Sequence, residues 1–310
     1  MAGVEVVKVK EADDGMRLNR WFLKYYPLLT MGRLQKLLRT KQIKVDGKKA
    51  EANLKLSLGQ EIRIPPLDNE KAQNNPAFVS KSDTEFIKSK VLFKDNNIIV
   101  LNKPSGLAVQ GGTNTERHID GMLEALKFEL EEKPKLVHRI DKDTSGILVL
   151  ARNRKYAEIL TKAFREHNLK KTYLVLTLNK PKLTSGEIKA PLEKIKEKME
   201  VVEDGKRAVT AFELLDCVGE KFSLIEAEPL TGRTHQIRAH MEYLGCPIVG
   251  DDKYYGKQRV KHSNLSPKLH LHAYKIDLSA IYNKRLVVKA PIPDYFVKDM
   301  NFLGLELREK

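Results

Sequence analysis

Residues 136–152 read LVHRIDKDTSGILVLAR. The second half decides the fold. Ile147 to Ala151 is an unbroken apolar run behind a polar turn, Asp143-Thr144-Ser145-Gly146. A short continuous apolar run of this kind is a strand buried on both faces. The first half is charged, and Asp141 stands just before the turn, at the mouth of that strand. A carboxylate there sits on the end of a rigid element, partly screened from water. Burial raises a carboxyl pKa and a nearby arginine lowers it again. A working carboxylate at this position therefore needs a basic partner. Arg139 is read as pointing to the opposite face from Asp141, so the partner is expected from elsewhere in the chain.

A second segment, AEPLTGRTHQIRAHMEYLGCPIVGD (227–251), offers it. It reads as a strand, a Thr-Gly-Arg turn and a helix. His235 and Arg238 are three apart and Gln236 and His240 four apart, so each pair shares a helical face. Arg233, His235, Gln236, Arg238 and His240 cluster near one helix start, where the dipole favours an anion. That is a receptor for phosphate or carboxylate. The two histidines are not read as a metal pair, because no third ligand has suitable spacing and the flanking arginines repel a cation. His270 and His272, alternating on KLHLHAYKI (268–276), read as packed or hydrogen-bonded core histidines. The Asp141-Lys142-Asp143 triplet lacks the apolar strand that an aspartyl-nucleophile phosphatase places before its first Asp. No dinucleotide or P-loop glycine motif occurs.

Around these segments the pattern predicts strands at 147–151, 171–178, 208–216, 222–228 and 286–289. Helices are expected at 117–131, 154–167 and 233–243. VLFKDNNIIVLNKPSGLAV (91–109) adds two strands around a polar turn, and 193–207 reads as a charged hairpin or loop. Strands outnumber helices without regular alternation. That is an α+β fold, a mixed and mainly antiparallel sheet with flanking helices over 89–305, and not a doubly wound sheet.

The start of the chain has another character. In 15–66, Leu18, Trp21, Phe22 and Tyr25 recur at helical spacing, and Pro27 ends the run. Thr30 caps a second helix with Met31, Leu34, Leu37 and Leu38 on one face. KQIKVDGKKA (41–50) is a hairpin turning at Asp46-Gly47. This segment carries twelve Lys/Arg against three Asp/Glu, more than half of the net +15 of the 310-residue chain. So one-sided an imbalance, with Arg33, Lys36, Arg39 and Lys44 on the helix and hairpin, points to nucleic-acid contact. Residues 67–88 are polar with little periodicity and read as a linker.

Charge of this size favours phosphate backbones or anionic membranes. No stretch approaches the length of a spanning helix, and the first fifteen residues show no apolar signal core, so a membrane and export are not expected. Two cysteines, Cys217 and Cys246, form neither a disulfide framework nor a four-cysteine zinc site. They read as thiols in a reducing cytoplasm.

HRIDKDTSGILVLAR (138–152) resembles the H-R-L-D-x-x-T-S-G signature of the RluA-type pseudouridine synthases, with Ile140 where Leu is usual. KTYLVL (171–176), TGRTHQIRAHM (231–241), GCPIVGDDKYYG (245–256), LNKPSGLAVQGG (101–112) and LHLHA (269–273) fit the same family. Residues 15–66 resemble the S4 RNA-binding domain. Together these cover roughly 15–300. The resemblance implies isomerisation of specific uridines in RNA, with bacterial 23S ribosomal RNA as the expected partner. The C1′–N1 bond breaks, the base turns and rejoins through C5, with no redox change, so no cofactor is expected. It implies that Asp141 is the essential aspartate, as nucleophile or as base at the ribose. Arg238 is its ion-pair partner and Tyr173 stacks on a flipped-out base. Arg139 then contacts phosphates or fills the gap left by the base, and Lys103 touches RNA or caps a turn. A different rRNA or tRNA target, or a non-catalytic ribosome-assembly factor, is the competing reading. The presence of Asp141, Tyr173 and Arg238 argues against the latter.

Overall fold

The structure is a computed structural model that describes residues 4–67, 79–112, 115, 117–255 and 264–307. The chain divides into two compact units, Met1–Phe78 and Val79–Lys310.

The first unit contains β1 (Glu5–Lys8), α1 (Leu18–Tyr25), α2 (Met31–Arg39), β2 (Lys44–Val45), β3 (Lys48–Lys49) and β4 (Glu61–Ile64). The strands form one antiparallel sheet in the order β1-β4-β2-β3. Leu18, Trp21 and Phe22 of α1 and Leu34, Leu37 and Leu38 of α2 are buried against Ile43, Ile62 and Ile64. Each such side chain contributes about 1.5–3 kcal/mol. Thr30 caps α2 by accepting from the Arg33 N–H at 3.3 Å. Met31, expected on the buried face, is exposed in the first turn. The lysines and arginines of α2 lie on the face away from the core, with Lys36 and Arg39 exposed and Lys44 half-buried.

The second unit begins with α3 (Lys81–Lys88), inside the stretch read as linker. Ser80 accepts from the Asp83 N–H at 3.0 Å and Ile87 is buried, so a cap and one apolar anchor suffice where composition alone looks polar. Residues 68–78 of that expected linker lie outside the described residues. There follow β5 (Val91–Lys94), β6 (Ile98–Lys103), α4 (Ile119–Met122), β7 (Lys135–Leu136), β8 (Ser145–Ala151), α5 (Arg154–Arg165), β9 (Lys171–Leu178) and β10 (Ser185–Lys189). Next come β11 (Leu192–Ile195), β12 (Lys198–Val201), β13 (Val209–Val218), β14 (Phe222–Pro229) and α6 (Gln236–Tyr243). The unit closes with β15 (Leu271–Asp277), α7 (Ser279–Tyr282), β16 (Val287–Lys289) and α8 (Asp294–Leu303). The helix expected over 117–131 is only α4 and a 3-10 turn, Leu123–Leu126, and Phe128 behind it takes a left-handed φ of 51°.

A ten-stranded sheet dominates this unit, ordered β10-β13-β14-β9-β15-β8-β6-β5, with β16 on β15 and β7 on β8. Its pairings are antiparallel except one. β8 and β15 run parallel, through His272↔Ser145 and Ala273↔Gly146. This seam joins an antiparallel sheet on each side. Strand β8 is buried along its whole length. Ile147 and Val149 pack on one face and Leu148 and Leu150 on the other, which is why the sequence shows a run and not an alternation. Gly146 has φ 103°, and a Cβ there would run into the Ala273 carbonyl across the seam. His272 lies on the same seam, 2.9 Å from the Ser145 hydroxyl. The fold is α+β, as the pattern of elements predicts.

Candidate active site

Asp141 sits four residues before β8, next to the seam. Its segment is held from below by Lys103, whose side chain is fully buried. The Lys103 ammonium donates to the carbonyls of Pro104, Leu107 and Lys142 at 2.9, 2.9 and 2.7 Å. Burial pushes its pKa down to about 7, against the pull of Asp143 and Asp141. Of the two roles open to it in the sequence, Lys103 has the structural one. It fastens the 104–107 turn to the Asp141 segment.

Arg238 comes from α6. Its Nη1 lies 4.0 Å from Asp141 Oδ2. Its closer partner is Asp251, which takes Nε and Nη2 at 2.7 Å each in a fork. Burial opposes the guanidinium charge, but the Asp251 hydrogen bonds and the charges of Asp251 and Asp141 hold its pKa above the ordinary value. Tyr254 covers the guanidinium, its ring centroid 4.9 Å from Cζ. Sequence reasoning missed Asp251. The only trace was a carboxylate pair, Asp251-Asp252, in a segment quoted for its resemblance.

His235 caps α6 in a left-handed conformation, φ 48°. Its Nε2 is 3.8 Å from Asp141 Oδ2, and its Nδ1 is 3.0 Å from the Tyr254 hydroxyl. That hydroxyl also accepts the Met199 N–H at 2.9 Å. Burial lowers the His235 pKa, Asp141 raises it, and Arg238 and Lys253 lower it further.

The other polar residues of this helix turn away. Gln236 is buried, accepting from the Thr231 hydroxyl at 2.6 Å and the Arg233 N–H at 3.1 Å. It donates to Val209 O at 2.9 Å and Thr210 Oγ1 at 3.0 Å. His240 lies between Thr210 Oγ1 at 2.8 Å and Ala190 O at 2.9 Å. These contacts fix α6 to β13. Gln236 is 4% exposed and lines the smaller cleft, with its amide committed to these partners. Residue type there says nothing about direction.

Two clefts, about 770 Å³ and about 550 Å³, meet at Asp141 and share Arg139, Ile140, Thr234, His235 and Arg238. Arg139, exposed, lines both beside Asp141. The expectation of opposite faces fails, because residues two apart in an extended segment share one. Tyr173, on β9, lines the smaller cleft together with Ile237 and Leu271. Burial, and then the Asp141 charge, push its phenol well above the ordinary range, so it stays protonated at neutral pH. Arg233 is exposed, lines the smaller cleft, and donates from Nε to Arg207 O at 3.1 Å. Arg33, Lys36, Arg39 and Lys44 belong to the first unit. Among the described residues no group of His, Cys, Asp and Glu could hold a metal ion, and no helix is long and apolar enough to cross a membrane.

A carboxylate beside an anchored arginine, a histidine and a protonated tyrosine in a cleft is an arrangement that can do general-base or nucleophilic work. The RNA pseudouridylate synthase family profile matches residues 97–243, which hold Asp141, Tyr173 and Arg238. The chain belongs to this family and is an RNA pseudouridine synthase, an isomerase. It is similar to the ribosomal large subunit pseudouridine synthase C of Rickettsia felis, 39% identical over 90% of this chain and 94% of that protein. RNA pseudouridine synthase 4, mitochondrial, of Arabidopsis thaliana is 35% identical over 88% of this chain and 73% of its own length. Among solved structures, human RNA pseudouridylate synthase domain containing 4 superposes with a TM-score of 0.64 at 29% identity. That match covers 73% of this chain and 97% of the human one.

Proposed function

We propose that this enzyme converts specific uridines of bacterial 23S ribosomal RNA to pseudouridine, with Asp141 as the group that opens the reaction. The observation that carries this reading is the position of Asp141, 4.0 Å from Arg238 and 3.8 Å from His235 in the cleft that Tyr173 lines. Arg238, itself anchored by Asp251, presents its guanidinium to the carboxylate. The target nucleotide leaves its stack and enters the cleft, with its uracil against Tyr173. Asp141 either attacks C1′ and displaces N1, or takes the C2′ proton as N1 leaves. The uracil turns and C5 bonds to C1′, which frees the Asp141 carboxylate from C1′ on the first route and is matched by return of the proton to C2′ on the second. The C5 proton then leaves and N1 gains one. Arg139, at the rim of both clefts, contacts phosphates or fills the gap left by the base.

The 23S target rests on relatives named for the large ribosomal subunit that align along most of both chains. The first unit, read as an S4-like domain over 15–66, supplies further RNA contact through Arg33, Lys36, Arg39 and Lys44. The enzyme works in the cytoplasm. Tritium release from large-subunit rRNA labelled at uridine C5 tests the reading. Wild type releases tritium and Asp141→Ala does not, while Asp141→Asn still binds RNA. Release by Asp141→Ala, or none by wild type, overturns it.

A further inference from the structure

The smaller cleft has a wall that the reaction at Asp141 does not use. Lys171 opens β9 and is half-buried at the cleft. Among the described residues its ammonium makes no hydrogen bond and no ion pair. The carboxylate whose charge reaches it, Glu228, pairs at 3.5 Å with the neighbouring Lys170. A half-buried cation without a partner is costly to hold unless an anion arrives. Three more basic side chains line the same cleft: Arg165 at the end of α5, His167 behind it, and Arg233 in the turn before α6. Arg165 is 72% exposed and, among the described residues, reaches only Glu166, at 3.8 Å. The turns carrying them are packed together, since a Cβ on Gly232 would meet the His167 ring at 3.0 Å. The charges of Lys171 and Arg233 both bear on that imidazole and, with burial, hold its pKa down. Against these basic groups the cleft presents one carboxylate, Asp141.

We infer that Lys171, Arg165 and Arg233 form a phosphate subsite, which grips the RNA backbone beside the nucleotide presented to Asp141. The inference rests on the RNA-modifying reading of the Asp141 site. Two exposed arginines and a half-buried lysine lining one cleft beside Asp141 suit a phosphodiester. Arg165 and Arg233 supply forked donors, and Lys171 a fixed point charge at the floor. The subsite sets where the flipped nucleotide stops.

The test uses the full chain, with a single-stranded oligouridylate and a large-subunit rRNA fragment as probes. Binding is measured as a function of salt for wild type, Lys171→Met, Lys171→Arg and Arg165→Ala. Each lost phosphate contact lowers the slope of log K against log salt by about 0.7–0.9. Lys171→Met keeps the aliphatic stem and loses the charge. It is expected to show that decrease and about a tenfold weaker affinity at moderate salt, with the loss in turnover falling on KM more than on kcat. Lys171→Arg is expected to restore the slope. Arg165→Ala lies on an exposed helix end, folds normally and is expected to lower the slope by a similar amount. Unchanged slopes in both Lys171→Met and Arg165→Ala overturn the subsite. So does a fall in kcat for Lys171→Met with slope and affinity at wild-type values. The slope is read on binding alone, so it decides the subsite separately from turnover, which decides the role of Asp141.

Discussion

Asp251→Ala is the most revealing single substitution in this enzyme. Asp251 is 1% exposed and holds two nitrogens of Arg238 at 2.7 Å, and it also accepts the N–H groups of Lys253 and Tyr254 at 3.1 and 3.2 Å. Removing it leaves a guanidinium whose side chain is 8% exposed without its fork. Breaking a buried pair from one side costs about 3–5 kcal/mol. At roughly 2–4 °C per kcal/mol for a unit of this size, the midpoint of thermal unfolding drops by about 6–20 °C. Arg238 has one other carboxylate to turn to. Asp141 is 4.0 Å from Nη1, and at an effective dielectric of about 20 two unit charges at that distance attract by about 4 kcal/mol. The guanidinium therefore swings onto Asp141, which recovers part of the stability and ties up the carboxylate in a direct pair. The expected result is a stability loss near the lower bound, about 3 kcal/mol, together with a loss of turnover of at least about a hundredfold. Denaturant unfolding and C5 tritium release measure the two separately. An Asp251→Ala protein within about 1 kcal/mol of wild type and fully active would refute the idea that Asp251 anchors Arg238.

Other substitutions probe the surroundings. Tyr254→Phe removes the hydroxyl that contacts His235 Nδ1 and leaves the Met199 N–H without its acceptor. A loss of about 1–3 kcal/mol in denaturant unfolding is expected, and a Tyr254→Phe protein as stable as wild type defeats the reasoning. His138 and His272 are held neutral, with burial pushing their pKa values to about 3 and about 4. His138 Nε2 accepts the Val149 N–H at 2.8 Å. Both pKa values are depressed in the folded state, so the unfolded chain binds more protons below about pH 6.5. Stability is then full above that pH and declines as the pH falls toward 4, by up to about 1.4 kcal/mol per unit for each histidine. A His138→Asn variant with the same acid dependence as wild type would contradict this. Gly146→Ala forces a Cβ into the Ala273 carbonyl at a left-handed φ, and should cost more than about 2 kcal/mol in unfolding experiments and displace Asp141. A fully stable, active Gly146→Ala enzyme would show that the seam tolerates widening.

What the sequence reveals about this molecule follows from what each signal encodes. The apolar run at 147–151 was readable as a strand because burial on both faces leaves no polar position in it. Helix α2 was readable from its spacing and its Thr30 cap. Helix α3 was not, because a single buried Ile87 and a Ser80 cap carry it through a polar stretch. In the site, the family resemblance pairs Asp141 with Arg238, and Arg238 Nη1 lies 4.0 Å from Asp141 Oδ2. The tighter Arg238–Asp251 fork was invisible, since nothing local distinguishes Asp251 from Asp252. Gln236 shows another limit. Its amide suits RNA, but its residue type does not reveal that Thr231, Val209 and Thr210 take up that amide. Lys103 is similar, a lysine whose three protons are all taken by backbone carbonyls.

The parallel seam between β8 and β15 has a consequence in time. β5 to β8 lie within 91–151 and can pair among themselves as they emerge. The Ser145 hydroxyl and its partner His272 are 127 residues apart in the chain. At 5–20 residues per second, ribosomal synthesis needs roughly 6–25 s to bring β15 out after β8. During that interval Asp141 has neither the β15 floor nor, for most of it, Arg238 and Asp251. A nascent chain of this enzyme therefore carries Asp141 for seconds before the groups that flank it in the folded unit are available.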